Sequence, residues 1–176
     1  SPPWQGRAVE AAMEIEKLAL YHDASPERPV QVQPETLTAL AAETAEDDIG
    51  ALVHLVMGGD IKGMVREIAD ASVLGLDGIR IIRALQRRIA MLAGLRGKVD
   101  QGAKTDSLVR GTRSIFWKDY DAYTRQVNRW TSERLAALNS HLLGVEAQIM
   151  AKGADVGAVL IEQELTRIAR AAARAR

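Results

Sequence analysis

Apolar residues recur at intervals of three and four along most of this chain, the signature of amphipathic helices. The cleanest stripe is Leu135, Leu138, Leu142, Val145 and Ile149. It is preceded by Ser132 as a capping residue and followed by Gly153 in the position that favours a helix end. A second stripe, Ile79, Ile82, Leu85, Ile89 and Leu92, follows Gly75 and a capping Asp77. Gly94, Gly97 and Gly102 are expected to loosen the far end of that helix. A third, Ile49, Leu52, Val53, Val56 and Met57, begins after Asp47 or Asp48 and ends at Gly58-Gly59. Asp60 then caps a helix burying Ile61, Met64, Val65 and Ile68. A last helix carries Val156, Val159, Leu160, Leu165, Ile168 and Ala172.

The flanking segments are less regular. A first helix is predicted over 7–21, with Ala8, Ala11, Ala12, Ile15, Leu18 and Ala19 on one side. Three prolines interrupt the pattern between Asp23 and Pro34, and a short helix is expected from Pro34 to Glu43. A small-residue, charged stretch covers 102–114, before a helix over 118–130. All five prolines lie at or before Pro34. Proline breaks helix interiors, so the remaining residues read as helical throughout. The expectation is an all-α chain of about eight helices with short connections.

Composition narrows the chemistry. There is no cysteine among the 176 residues, which removes disulfides, thiolate metal sites and cysteine nucleophiles. This fits a reducing compartment, and cytoplasmic location is the expectation. No apolar run is long enough to span a bilayer. The formal net charge is zero, but residues 1–48 hold ten acids and three bases, and residues 49–176 hold thirteen acids and twenty bases. The sign change sets an expected boundary near Asp47, giving units 1–47 and 48–176. The opening Ser1-Pro2-Pro3-Trp4 reads as a cut end, so a fragment is expected.

No catalytic constellation emerges. His22, His54 and His141 are too far apart in sequence for a local metal-binding pattern, and each reads as a surface or helix-end histidine. The acid pairs Asp47-Asp48 and Asp119/Asp121 lie at expected helix starts, where they complement the dipole. Glu162 and Glu164 point to different sides of one helix. Gly97-Lys98 superficially ends a phosphate loop, but Leu92 replaces the required glycine and Val99 the required hydroxyl residue. No metal, cofactor or catalytic residue is expected. Two basic faces remain: Arg80, Arg83, Arg87 and Arg88 on one helix, and Arg167, Arg170 and Arg174 on the last. Each is either a solvated face with arginine stems over apolar neighbours or a face that meets a subunit or phosphates. Trp117 and Trp130 flank an amphipathic helix and are expected as core anchors.

Several segments, in order, resemble the δ subunit of the bacterial DNA polymerase III clamp loader. They are Glu14 to Tyr21; Val53 to Asp60, ending Met57-Gly58-Gly59-Asp60; Arg83-Ala84-Leu85-Gln86-Arg87-Arg88 with Leu92; Ile115-Phe116-Trp117-Lys118 with Gln126 and Trp130; and Glu146 with Lys152-Gly153. The likeness covers about 160 residues. It implies a partial AAA+-type helical lid over 1–47 and a helical collar domain over 48–176. The implied role is non-catalytic: collar-ring assembly with the other clamp-loader subunits, for loading the sliding clamp onto primed DNA. Any polymerase label would come from membership of the holoenzyme. Candidate subunit- or DNA-facing residues are Arg80, Arg83, Arg87, Arg88, Lys118, Arg167, Arg170 and Arg174. The family's Rossmann-like first domain, which grips the clamp, has no counterpart in these residues. With that covering domain absent, Ile15 or Leu18 is expected to be left for a non-native neighbour. The alternative is a stand-alone helical DNA-binding or regulatory module.

Overall fold

The computed structural model describes residues 12–13, 15–20, 23–69 and 78–175. The expected helix start near Arg7, His22, and the Gly75 and Asp77 punctuation lie outside them, as does the side chain of Val156. The chain is all-α. The described elements are α1 (Pro34–Gly58), α2 (Ile61–Ala69), α3 (Gly78–Asp100), α4 (Thr105–Arg110), a 3₁₀ turn (Trp117–Asp119), α5 (Tyr120–Arg129), α6 (Ser132–Lys152) and α7 (Ala154–Arg174). Among the described residues no helix is long and apolar enough to cross a membrane.

The chain divides into two units, residues 1–44 and 45–176. In the first, residues 15–20 are helical and a short turn pairs Ser25 with Arg28. Ile15 is 66% exposed, while Leu18 is half-buried. Both lie along an apolar groove with Pro26, Pro29, Val30 and Val32.

The second unit is a bundle organised around α3. This helix packs against α4, α5, α6 and α7, and α6 packs in turn on α7. Its buried side chains are Ile81, Ile82, Leu85, Ile89, Leu92 and Leu95. The opposing stripe on α6, Leu135 to Ile149, is buried as its spacing predicts. From α1 come Ile49, Leu52, Val53, Val56 and Met57, and from α7 Ile161, Leu165, Ile168, Ala169 and Ala172. The core is aliphatic, with Tyr123 and Trp130 its buried aromatics among the described residues.

Several expected boundaries shift. One helix runs from Pro34 to Gly58 where two were expected. Residues 43–48, Glu-Thr-Ala-Glu-Asp-Asp, contain neither proline nor glycine, and nothing local breaks the ladder. Likewise α3 continues through Gly94 and Gly97 to Asp100. A helical glycine costs only about 1 kcal/mol relative to alanine, which packing of the α3 stripe readily outweighs. Thr131, not Ser132, caps α6: its hydroxyl accepts from the Arg134 N–H at 3.3 Å, while Ser132 Oγ reaches Asp100 at 2.7 Å. Val65 and Val159 are exposed rather than buried, each lying on the solvent side of its helix.

The Gly58-Gly59-Asp60 turn behaves as expected. Gly59 adopts φ +74°, and the Asp60 carboxylate accepts from the Gly63 N–H at 2.8 Å to cap α2. Gly59 also lies against the backbone of α7. A Cβ there would stand 2.7 Å from the Ala173 nitrogen.

Candidate functional site

The basic face of α3 is tied to acids from neighbouring helices. Arg80 Nη2 lies 2.6 Å from Glu46 Oε1, and Arg87 approaches the same carboxylate at 3.8 Å. Arg83 Nε donates to Glu146 Oε1 at 2.9 Å, with Gln86 donating to its other oxygen at 3.3 Å. These hydrogen bonds hold both Glu46 and Glu146 below the ordinary carboxylate pKa. Arg80, Arg83 and Arg87 stay partly solvated, so they are fixed by partners yet still present a cationic surface.

Arg88 is separate from that face. One residue adds about 100° around the helix, which turns it inward. Its guanidinium sits 4.3 Å from the Tyr123 ring centroid and donates to Gln126 Oε1 at 3.0 Å. It also lies 3.4 Å from His54 Nδ1. His54, expected as a surface or helix-end histidine, lies near the end of α1 as a half-buried member of a polar network. Burial, reinforced by Arg88, pushes its pKa below the ordinary imidazole value. Gln126 is buried and closes the network by donating to the His54 carbonyl at 3.3 Å. The signal in sequence was slight: a glutamine and an arginine at positions whose spacing says nothing of their partners.

On α7, Arg167 pairs with Glu164 at 2.8 Å, and Glu164 also meets His141 Nε2 at 3.0 Å. Arg170 and Arg174 are exposed, and among the described residues neither has an ion pair. With Arg167 they line an open concavity along the helix.

The turn before α5 separates two tryptophans that were expected to play one role. Trp130 is buried, and its indole N–H donates to the Met57 carbonyl at 2.9 Å. Trp117, expected in the core, is instead 64% exposed, and Phe116 beside it is 58% exposed. Ile115 takes the buried position, and the 3₁₀ turn carries the next residues outward. The two rings lie 5.8 Å apart at 46°, with Lys118 Nζ 5.8 Å and 5.5 Å from their centroids. Lys118 thus belongs to a compact cationic and aromatic patch.

A further surface escaped sequence reasoning. Ala136, Ser140, Leu143, Ala147 and Met150 are all exposed on α6, at alternating intervals of four and three. Leu143 is 55% and Met150 65% exposed. The stripe sits one or two residues out of phase with the buried one, and its small residues hid it. Among the described residues no group of three or more histidine, aspartate or glutamate side chains is placed to hold a metal.

No family model, curated protein or solved structure matches this chain.

Proposed function

We propose that the chain is a non-catalytic assembly subunit of a cytoplasmic clamp-loader complex, similar to the δ subunit of bacterial DNA polymerase III. Its second unit would serve as the collar that joins sister subunits in loading the sliding clamp onto primed DNA. The observation that carries this reading is the uncharged α6 stripe from Ala136 to Met150, exposed on a bundle whose other surfaces are rich in ion pairs. Large apolar side chains left exposed on one helix face suit a protein partner. Small residues at intervals of three and four let a second helix approach closely, with Leu143 and Met150 as anchors. The tethered Arg80, Arg83 and Arg87 face would supply oriented charge at the edge of such a contact.

The test is reconstitution with the other clamp-loader subunits. Leu143→Lys with Met150→Lys is expected to abolish co-elution while leaving the melting temperature nearly unchanged, because both side chains are largely solvated and lysine is a good helix former. Co-elution undiminished by the double substitution, or absent from the unsubstituted chain, would sink the proposal.

A second reading, direct contact with nucleic acid, is favoured by Phe116, Trp117 and Lys118. Exposed aromatic rings beside a cation offer stacking surfaces for unpaired bases and a charge for the phosphate. Arg170 and Arg174, which have no ion pair among the described residues, would add salt-dependent attraction. Binding of single-stranded DNA that weakens steeply with salt, and with Trp117→Ala, is the expected result. Salt-insensitive binding would exclude it.

A further inference from the structure

Six arginines of the second unit have a carboxylate within reach: Arg80, Arg83, Arg87, Arg96, Arg110 and Arg167. Arg88, Arg125 and Arg129 are among the arginines that form no ion pair among the described residues. These three converge on one place. A cleft of about 260 Å³ between α1 and α5 is lined by His54, Asp60, Arg125, Gln126 and Arg129. Arg88 lies behind it, bonded to Gln126 and touching His54.

The donors are arranged for a guest. Arg125 and Arg129 are four residues apart on α5, so they share a side of the helix. Arg129 spends one N–H on the Gly58 carbonyl, which offsets the negative end of α1 and leaves its other N–H groups. His54 Nδ1 faces the Arg88 guanidinium, which has only donors. Nδ1 must therefore accept, and the neutral ring carries its proton on Nε2. Two acids moderate the field. Asp60 lines the cleft, with Oδ1 engaged by the Gly63 N–H, and Asp119 acts on both His54 and Arg88. Three guanidinium groups against two carboxylates still leave an excess of positive charge beside a half-buried cleft.

We propose that this cleft binds a phosphate oxyanion, held by Arg125 and Arg129 with the His54 ring N–H as a third donor. Tetrahedral oxyanions accept several charge-assisted hydrogen bonds at once, the demand that forked guanidinium donors meet. The site is separate from the α6 stripe, and its failure would leave the assembly proposal untouched. Its ligand chemistry is a phosphate group, supplied either by a small phosphate compound or by a nucleic-acid backbone.

The experiment titrates the 176-residue chain with inorganic phosphate at constant ionic strength, following the His54 ring and arginine Nε resonances by NMR. A saturable shift confined to His54, Arg125 and Arg129 is expected, with the His54 pKa rising in phosphate because the anion stabilises the imidazolium. Arg125→Gln is expected to weaken binding roughly tenfold at an unchanged melting temperature, since Arg125 is exposed. Arg113→Gln, at an exposed arginine outside the cleft, is the control and is expected to bind as the unsubstituted chain does. Addition of an oligothymidylate lacking terminal phosphates identifies the source. Displacement of phosphate at His54 assigns the cleft to a nucleic-acid backbone, and retention assigns it to a small phosphate compound. A linear, unsaturable shift spread over all the arginines, or unchanged binding by Arg125→Gln, overturns the proposal.

Discussion

The Trp130 indole N–H donates to the main-chain carbonyl of Met57 across 2.9 Å, although 73 residues separate them in sequence. The bond stitches the end of α5 to the last turn of α1, where carbonyls have no partner within their own helix. Arg129 donates to the next carbonyl, of Gly58, and Gln126 to that of His54. Side chains at the end of α5 thus bond carbonyls at the largely buried end of another helix. Trp130→Phe keeps the ring but leaves the Met57 carbonyl buried without its donor. A loss of about 1–3 kcal/mol is expected in urea unfolding. A loss below the error of that measurement would mean that solvent or a neighbour replaces the indole.

Gly59 cannot readily accept a side chain. Its φ of +74° belongs to the left-handed region, and a Cβ would meet the α7 backbone at Ala173. Gly59→Ala is expected to cost about 1–2 kcal/mol from backbone conformation alone, with the close contact adding to it. Gly94→Ala, where a Cβ meets nothing, is expected to stabilise by up to about 1 kcal/mol. Thermal melts of the two variants should move in opposite directions.

His54 makes stability depend on pH. Its pKa in the fold is lowered from 6.5 by burial, then by Arg88 and Arg125, against the opposing pull of Asp119. The unfolded chain therefore binds this proton at a higher pH than the folded chain does. Its contribution is fully present above pH 6.5 and declines as pH falls below that value, until the folded ring also protonates. Denaturation midpoints between pH 8 and pH 5 should fall, and His54→Gln should flatten that slope. Below the ordinary carboxylate range a second decline follows, because Glu46, Glu146 and Asp100 also have lowered pKa values.

Trp117 offers the contrasting aromatic test. Trp117→Ala is expected to change stability by no more than about 0.5 kcal/mol, since the ring is largely solvated. Any binding of single-stranded DNA through this patch should weaken by about 1–3 kcal/mol in the same variant. Calorimetry and fluorescence anisotropy separate the two quantities.

The arginines show where sequence reading stopped. Arg87 and Arg88 are adjacent and chemically identical, and the pattern placed both on one cationic face. Arg87 reaches Glu46 at the surface, while Arg88 packs under Tyr123. Similarly, Trp117 and Trp130 flank the same helix, yet Ile115 takes the buried place that Trp117 was expected to fill. Leu143 and Met150 were invisible because the small residues between them do not register as an apolar stripe.

The sequence by itself determined the all-α character, the buried stripes of α3 and α6, and the stops at Gly59 and Gly153. These depend on proline distribution, helical periodicity and left-handed glycine, all of which act within a few residues. Only the tertiary structure decided which polar residues turn inward, which aromatic rings stay in solvent, and which carbonyls Trp130, Arg129 and Gln126 satisfy. Periodicity reports a residue's angle on its own helix. What stands opposite that angle is set by the packing of a second helix, often many tens of residues away.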